Sequence, residues 1–137
     1  MSANLNPIFV GTPVTGIGTA ITAANTATDG TGTVITVFTA GSAGGYVRRL
    51  RIKALGTNVA SVLRIFVNNG STQATAANNS LIGEIPLAIS TASNVAAIGP
   101  DYEYVLNLVL AASYTINVCI GTAAAAGWIV TAEGGSY

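Results

Sequence analysis

Read two residues at a time, most of the chain alternates between apolar and polar positions, the period of a half-buried β-strand. Residues 33–39, TVITVFT, are almost all β-branched or aromatic, side chains that suit a pleated surface. Residues 46–55 and 60–68 follow the same rule, and the short Gly56-Thr57-Asn58 link between them predicts a hairpin. Tyr104, Leu106, Leu108 and Leu110 alternate with Val105, Asn107 and Val109. Tyr114, Ile116, Val118 and Ile120 then alternate with Thr115, Asn117 and Cys119, which makes two more strands. Residues 15–24, Thr-rich and interrupted by Gly16 and Gly18, together with 81–89 and 127–133, complete a set of about eight. Pro86 has no N–H to give to a ladder, so 81–89 is expected at a sheet edge or a bulge.

The alanine-rich runs at 74–77 and 123–126 are too short for stable helices, so helix content should be very low. The pattern predicts an all-β, single-domain β-sandwich, with the jelly roll the commonest eight-stranded arrangement. An up-and-down barrel stays open, whereas an immunoglobulin-like sandwich is disfavoured because Trp128 lies near the end of the sequence with no cysteine pair around it. Residues 1–14 hold Pro7, Pro13 and the apolar Ile8, Phe9 and Val10 outside the pattern. They are expected to form an extended N-terminal arm, able to reach a neighbouring subunit, ahead of a sandwich domain at 15–137. Residues 69–80 are small, polar and uncharged and read as an exposed loop.

Composition narrows the chemistry. The chain has 137 residues, half of them hydrophobic, enough for one domain with a core of its own. It contains no histidine and one cysteine, which removes the commonest general base, a Cys/His zinc site and any disulfide within the chain. Only 7% of residues are charged and the net charge is zero, a composition that favours self-association and packing into assemblies. The uncharged stretch between Glu103 and Glu133 is long enough to cross a bilayer as a helix, but its period of two and its Asn, Ser, Thr and Gly residues argue against one. The first residues, MSANLNPIFV, lack the basic start and apolar run of a secretory signal. Without that context the glycosylation patterns at Asn69-Gly-Ser71 and Asn78-Asn-Ser80 carry no weight.

All five basic residues, Arg48, Arg49, Arg51, Lys53 and Arg64, fall close together. On a strand Arg49, Arg51 and Lys53 share one face, opposite Leu50, Ile52 and Ala54. Two readings follow: a docking strip for an acidic protein surface, or a solvated face paired with Glu84 or Glu133. Nucleic acid is disfavoured as a partner because the domain is neutral and no aromatic residues are interleaved with the bases. Asp101 and Glu103 also share a strand face, but Tyr102 and Tyr104 point the other way, so the paired carboxylates and aromatic platform of a glycosidase do not coincide. A calcium site from Asp29, Asp101 and Glu103 lacks any recognisable loop. Asp29-Gly-Thr-Gly-Thr33 has no Gly-Lys-Ser/Thr ending and reads as a turn rather than a phosphate cradle. Cys119, Trp128, Phe38 and Phe66 read as buried packing residues. No catalytic, metal or cofactor site is expected.

Three stretches carry a resemblance: VFTAGSAGGYVRRLRIKALGTNVASVLRIFVNNG (37–70), LIGEIPL (81–87) and GTAAAAGWIVTAEGGSY (121–137). Together they resemble the capsid cement or decoration proteins of tailed bacteriophages, small virion structural proteins with a jelly-roll-like sandwich. The resemblance implies a homo-oligomer, trimers being frequent, made in the bacterial host cytoplasm and placed on the capsid surface, where it bridges major capsid proteins. Under that reading Ile8, Phe9 and Val10 of the arm and Arg49, Arg51 and Lys53 of the stripe are the candidate contacts to capsid or sister subunits, with neither nucleic acid nor membrane as partner. The alternative is a carbohydrate- or receptor-binding jelly-roll module of a head fibre or tail, with Tyr46, Tyr102, Tyr104 and Tyr137 as its aromatic platform.

Overall fold

The computed structural model describes residues 10–137. Eight strands run through them: β1 (Thr12–Ile17), β2 (Ile35–Thr39), β3 (Gly45–Ala54), β4 (Ser61–Asn68), β5 (Asn79–Leu87), β6 (Tyr102–Leu110), β7 (Thr115–Ile120) and β8 (Trp128–Ser136). The only helical element among the described residues is a 3-10 turn at Ala76–Asn78. The strands form two four-stranded antiparallel sheets, sheet I in the order β1-β8-β3-β6 and sheet II in the order β2-β7-β4-β5. The architecture is a β-sandwich. Its pairing folds the first half of the chain back on the second: β1 lies against β8, β2 against β7, β3 against β6 and β4 against β5.

The core lies where the two inner faces meet. Val47, Leu50, Ile52 and Ala54 from β3 and Trp128, Val130 and Ala132 from β8 face Leu63 and Ile65 from β4 and Ile116, Val118 and Ile120 from β7. Apart from the step between Val47 and Leu50, each of these runs is the apolar half of an alternating strand, so the burial that drives folding is largely the pattern seen in the sequence. Trp128 is fully buried and meets the ring of Tyr102 at a centroid distance of 6.0 Å and a tilt of 60°, the edge-to-face arrangement aromatic pairs prefer. Pro86 sits on β5, the edge of sheet II, as its missing N–H requires.

Two expectations are corrected. The first strand is Thr12–Ile17 rather than 15–24, so Thr12, Pro13 and Val14 belong to the sandwich and not to an arm. Pro13 is tolerated because β1 is the edge of sheet I. At Gly16 a side chain would run into the Val37 carbonyl of the facing sheet, so the glycine marks a close approach within the strand rather than a break. Residues 1–9, with Ile8 and Phe9, lie outside the described residues.

Second, Gly56-Thr57-Asn58 is not a hairpin turn, because β3 belongs to sheet I and β4 to sheet II. The link crosses the end of the sandwich and is locked there by Asn58, which is buried. Its Nδ2 donates to the Gly127 carbonyl at 3.0 Å, its Oδ1 accepts from the Ala126 and Gly127 amides at 2.9 Å each, and its backbone pairs with Ser90. One residue, through its side chain and its backbone together, thereby joins the β3–β4, β5–β6 and β7–β8 connections.

Phe66 is buried as expected, beside the main core cluster rather than within it. A register shift between Ile65 and Phe66 accompanies it, and with Asn68, Asn117 and Cys119 it lies on the outward side of sheet II. The long β1–β2 connection passes over this side. Asn25 fixes it, donating to the Thr31 and Thr33 carbonyls at 2.8 Å each, while Arg64 Nη1 donates to the Asn25 carbonyl at 3.1 Å and Gln73 bonds the Gly30 carbonyl. Burial pushes the Cys119 thiol above its ordinary range.

Asn58→Ala should therefore leave two amides and a carbonyl unsatisfied in a buried site, at about 1–3 kcal/mol for each group. A loss of about 3 kcal/mol or more in urea denaturation is expected, against little change for the exposed neighbour Val59→Ala. A loss below 1 kcal/mol, within the range of an ordinary surface substitution, would show that the crossing does not depend on Asn58.

Candidate functional site

The outer face of sheet II is roofed by the β1–β2 connection, which leaves the outer face of sheet I as the broad sheet surface open to a partner. Its character is set on β3. Val47 and Leu50 are both buried, yet three positions apart on a regular strand point to opposite faces. The register shift between Val47 and Arg49, against both β6 and β8, absorbs the difference and turns Arg48 as well as Arg49 outward. Arg49, Arg51 and Lys53 share the outer face as expected.

The stripe is not bare. Arg49 Nε donates to Glu133 Oε2 at 2.5 Å and its Nη1 to Glu103 Oε2 at 3.1 Å. Arg51 Nη1 stands 3.9 Å from Glu133 Oε1, and Lys53 is paired with Asp101. Arg64, on the other sheet, donates to Glu84 Oε1 at 3.0 Å. These bonds move the titrations: hydrogen bonding from Arg49 holds Glu133 below its ordinary value, hydrogen bonding from Lys53 does the same for Asp101, and Glu133 and Glu103 raise Arg49. The cluster is a ladder of alternating charges across β8, β3 and β6.

Adjoining the ladder at Glu133, at the end of sheet I where β3 begins, Val10, Tyr46, Arg48, Val109, Glu133, Gly134 and Tyr137 line an open groove of about 740 Å³. Gly135 lets Val10 lie flat on the sheet, since a Cβ there would come within 2.7 Å of the Val10 Cβ. Tyr46 is held by its hydroxyl, which donates to Asn107 Oδ1 at 2.8 Å, and Asn107 adopts a left-handed backbone with φ of 44°. Val105 and Val109, 60% and 65% exposed, extend the apolar surface along β6, the free edge of sheet I.

A second surface occupies the opposite end of the sandwich, where β3, β5 and β7 finish. Leu55 and Val59 on one connection and Ile89 and Val95 on another are exposed, Ile89 by 69% and Val95 by 97%. No charged residue lies in 55–60 or 88–100. The connections are rigidly joined, by Asn58 and Ser90 and by the Ala92 amide donating to Thr57 Oγ1 at 2.9 Å. Arg51 and Lys53 flank this end.

Other sequence candidates separate. Asp29 sits in the connection over sheet II, whereas Asp101 and Glu103 are on the outer face of sheet I in ion pairs, so the three do not meet. Among the described residues no group of three metal-ligating side chains comes together. Tyr102 and Tyr104 turn inward, their hydroxyls bonded to the Ala88 amide and the Ile82 carbonyl, which leaves Tyr46 and Tyr137 as the outward pair. Sequence reasoning passed over Val109 and the loop valines. A strand with apolar residues on both faces, as in 104–110, was the available signal. No helix of the described residues is long and apolar enough to cross a membrane. Comparison with protein-family models, curated proteins and solved structures found no match.

The ion-pair ladder predicts an acid transition. Glu133 and Asp101 have folded values lowered from 4.5 and 3.8, so below those values the unfolded chain takes up protons that the folded chain resists. Their contribution is present above about pH 5 and disappears as the pH falls through the folded values. Denaturation midpoints measured from neutral to acid pH should drop below about pH 4.5, and Arg49→Gln should flatten the part due to Glu133. An unchanged profile in that variant would show that the pair is not coupled to folding.

Proposed function

We propose that the chain is a virion structural protein that binds the outer surface of a tailed-phage capsid and stiffens the shell by bridging major capsid proteins. The observation that carries this reading is the uncharged end of the sandwich, where Leu55, Val59, Ile89 and Val95 are exposed on connections pinned by a buried asparagine. Exposed apolar side chains on an ordered frame are what a contact surface needs, because little entropy is lost on docking. Arg51 and Lys53 at the rim add polar contacts, while their pairing with Glu133 and Asp101 makes an acidic capsid patch unnecessary. Val10, in the groove on sheet I, is a proposed contact to sister subunits, and Ile8 and Phe9, outside the described residues, are proposed with it.

The strand order supports a jelly roll within this proposal: a hairpin of two four-strand arms, rolled so that neighbouring strand pairs fall alternately into the two sheets, gives this order. Such a protein acts by mass action. Binding only the assembled lattice stabilises it, and repetition over many sites lets weak contacts add. The glycan- or receptor-binding alternative has only Tyr46 and Tyr137 left as an aromatic platform.

Mixing the purified protein with undecorated tailed-phage capsids tests the reading. Co-sedimentation and a raised capsid melting temperature are expected, with binding lost in Val59→Asp and Ile89→Asp while their own denaturation midpoints stay within 1 kcal/mol of the parent, as for ordinary surface substitutions. A protein that stays in the supernatant, or variants that bind as well as the parent, would overturn it.

A further inference from the structure

The charges of this chain nearly cancel in place, and the exceptions are informative. Of five basic and five acidic side chains, Arg49, Arg51, Lys53 and Arg64 are paired with Glu103, Glu133, Asp101 and Glu84. Among the described residues one cation, Arg48, and one anion, Asp29, have no ion pair, and residues 1–9 contain no Asp, Glu, Lys or Arg. Both are exposed.

Their positions are complementary in sign. Arg48 stands in the apolar groove of sheet I, between Tyr46, Val109 and Tyr137, a concave surface of about 740 Å³. Glu133 on the same wall is already shared by Arg49 and Arg51. Asp29 stands on the connection that roofs sheet II, in a turn of small residues, Thr28-Asp29-Gly30-Thr31. That turn is ordered: the Thr31 amide and hydroxyl donate to Asp29 Oδ1 at 3.0 and 2.7 Å. The hydroxyl bond first, and the amide bond with it, lowers the Asp29 carboxyl below its ordinary range and keeps it ionised. Gln73 bonds the Gly30 and Gly32 carbonyls and ties the turn to the β4–β5 connection. Groove and turn lie on opposite broad faces of the sandwich and so cannot meet within one chain.

We infer that the groove around Arg48 receives the Asp29 turn of a second copy of this chain. The contact is face to back and therefore heterologous: each copy offers its groove to one neighbour and its turn to another, so the assembly closes into a ring or continues as a chain, according to the rotation at each step. Tyr46, Val109 and Tyr137 line the groove around the ion pair, and the exposed Thr28 beside Asp29 is small enough to enter, while Gly30 stays packed against Asn79. Opposite charge fixes the register of the two surfaces, as it does at protein interfaces generally. The inference stands apart from the capsid reading, and its test uses the protein alone.

Light scattering and sedimentation velocity over a range of protein concentrations provide that test. The parent should self-associate. Arg48→Asp and Asp29→Arg alone should each weaken association by about tenfold or more, and mixing the two single variants should restore it, because opposite charges face each other in both contacts between unlike variants. The double variant, with both charges exchanged on every copy, should associate to within about threefold of the parent. Unchanged melting temperatures in the single variants exclude misfolding as the cause. A monomeric parent, association unaffected by the single reversals, or a double variant as weak as the singles would overturn the inference.

Discussion

Val47 and Leu50 must both face the core from one strand, and their spacing forbids it unless the strand carries an extra residue. Much of the outer surface follows from that constraint. Against β8 the added residue is Arg48, and against β6 the ladder shifts at the same place with Leu106 and Asn107 standing opposite Arg48. On one side of the shift the outward positions carry Arg49, Arg51 and Lys53, in line with carboxylates from β6 and β8. On the other side the sheet is stripped to Gly134 and Gly135 on β8, and the vacated surface becomes the groove. A packing requirement inside the sandwich thus divides its outer face into a neutralised region and an apolar one with a single unpaired cation.

The legible parts of the fold were those in which local pattern and tertiary role agree. Residues 33–39 are nearly all β-branched or aromatic, and 114–120 set Tyr114, Ile116, Val118 and Ile120 in alternation with Thr115, Asn117 and Cys119; they form β2 and β7 nearly as read. The link at Gly56-Thr57-Asn58 was misread because propensity says where a strand ends and nothing about which sheet comes next. Asn58 was the available hint, but its role depends on Ser90, Ala126 and Gly127, which lie far along the chain. Gly16 and Gly18 look like breaks in isolation, and only the facing strand explains why β1 needs a residue without a side chain.

The candidate surfaces were legible to a lesser degree. That Arg49, Arg51 and Lys53 share a face follows from strand geometry, and Glu133 was a foreseeable partner. Their near-complete neutralisation was not, because Asp101, Glu103 and Glu133 reach β3 through pairings that only the sheet order defines. Phe66 illustrates the same limit, since its burial depends on the β1–β2 connection crossing the back of sheet II. The apolar end formed by Leu55, Val59, Ile89 and Val95 is written as four scattered residues and becomes one surface only when the connections are drawn together.

The pairing of β1 with β8 bears on how the molecule carries load. Thr12 and Ser136 lie side by side at one end of the sandwich, so a pull on these two points would open the ladder one bond at a time, as a zip opens. A force between the groove end and the Asn58 end runs along the strands instead and stretches many cross-strand bonds together. The sandwich is therefore mechanically soft to peeling of the edge strand β1 from β8 and stiff along its strands, and the strand direction joins its two exposed apolar surfaces.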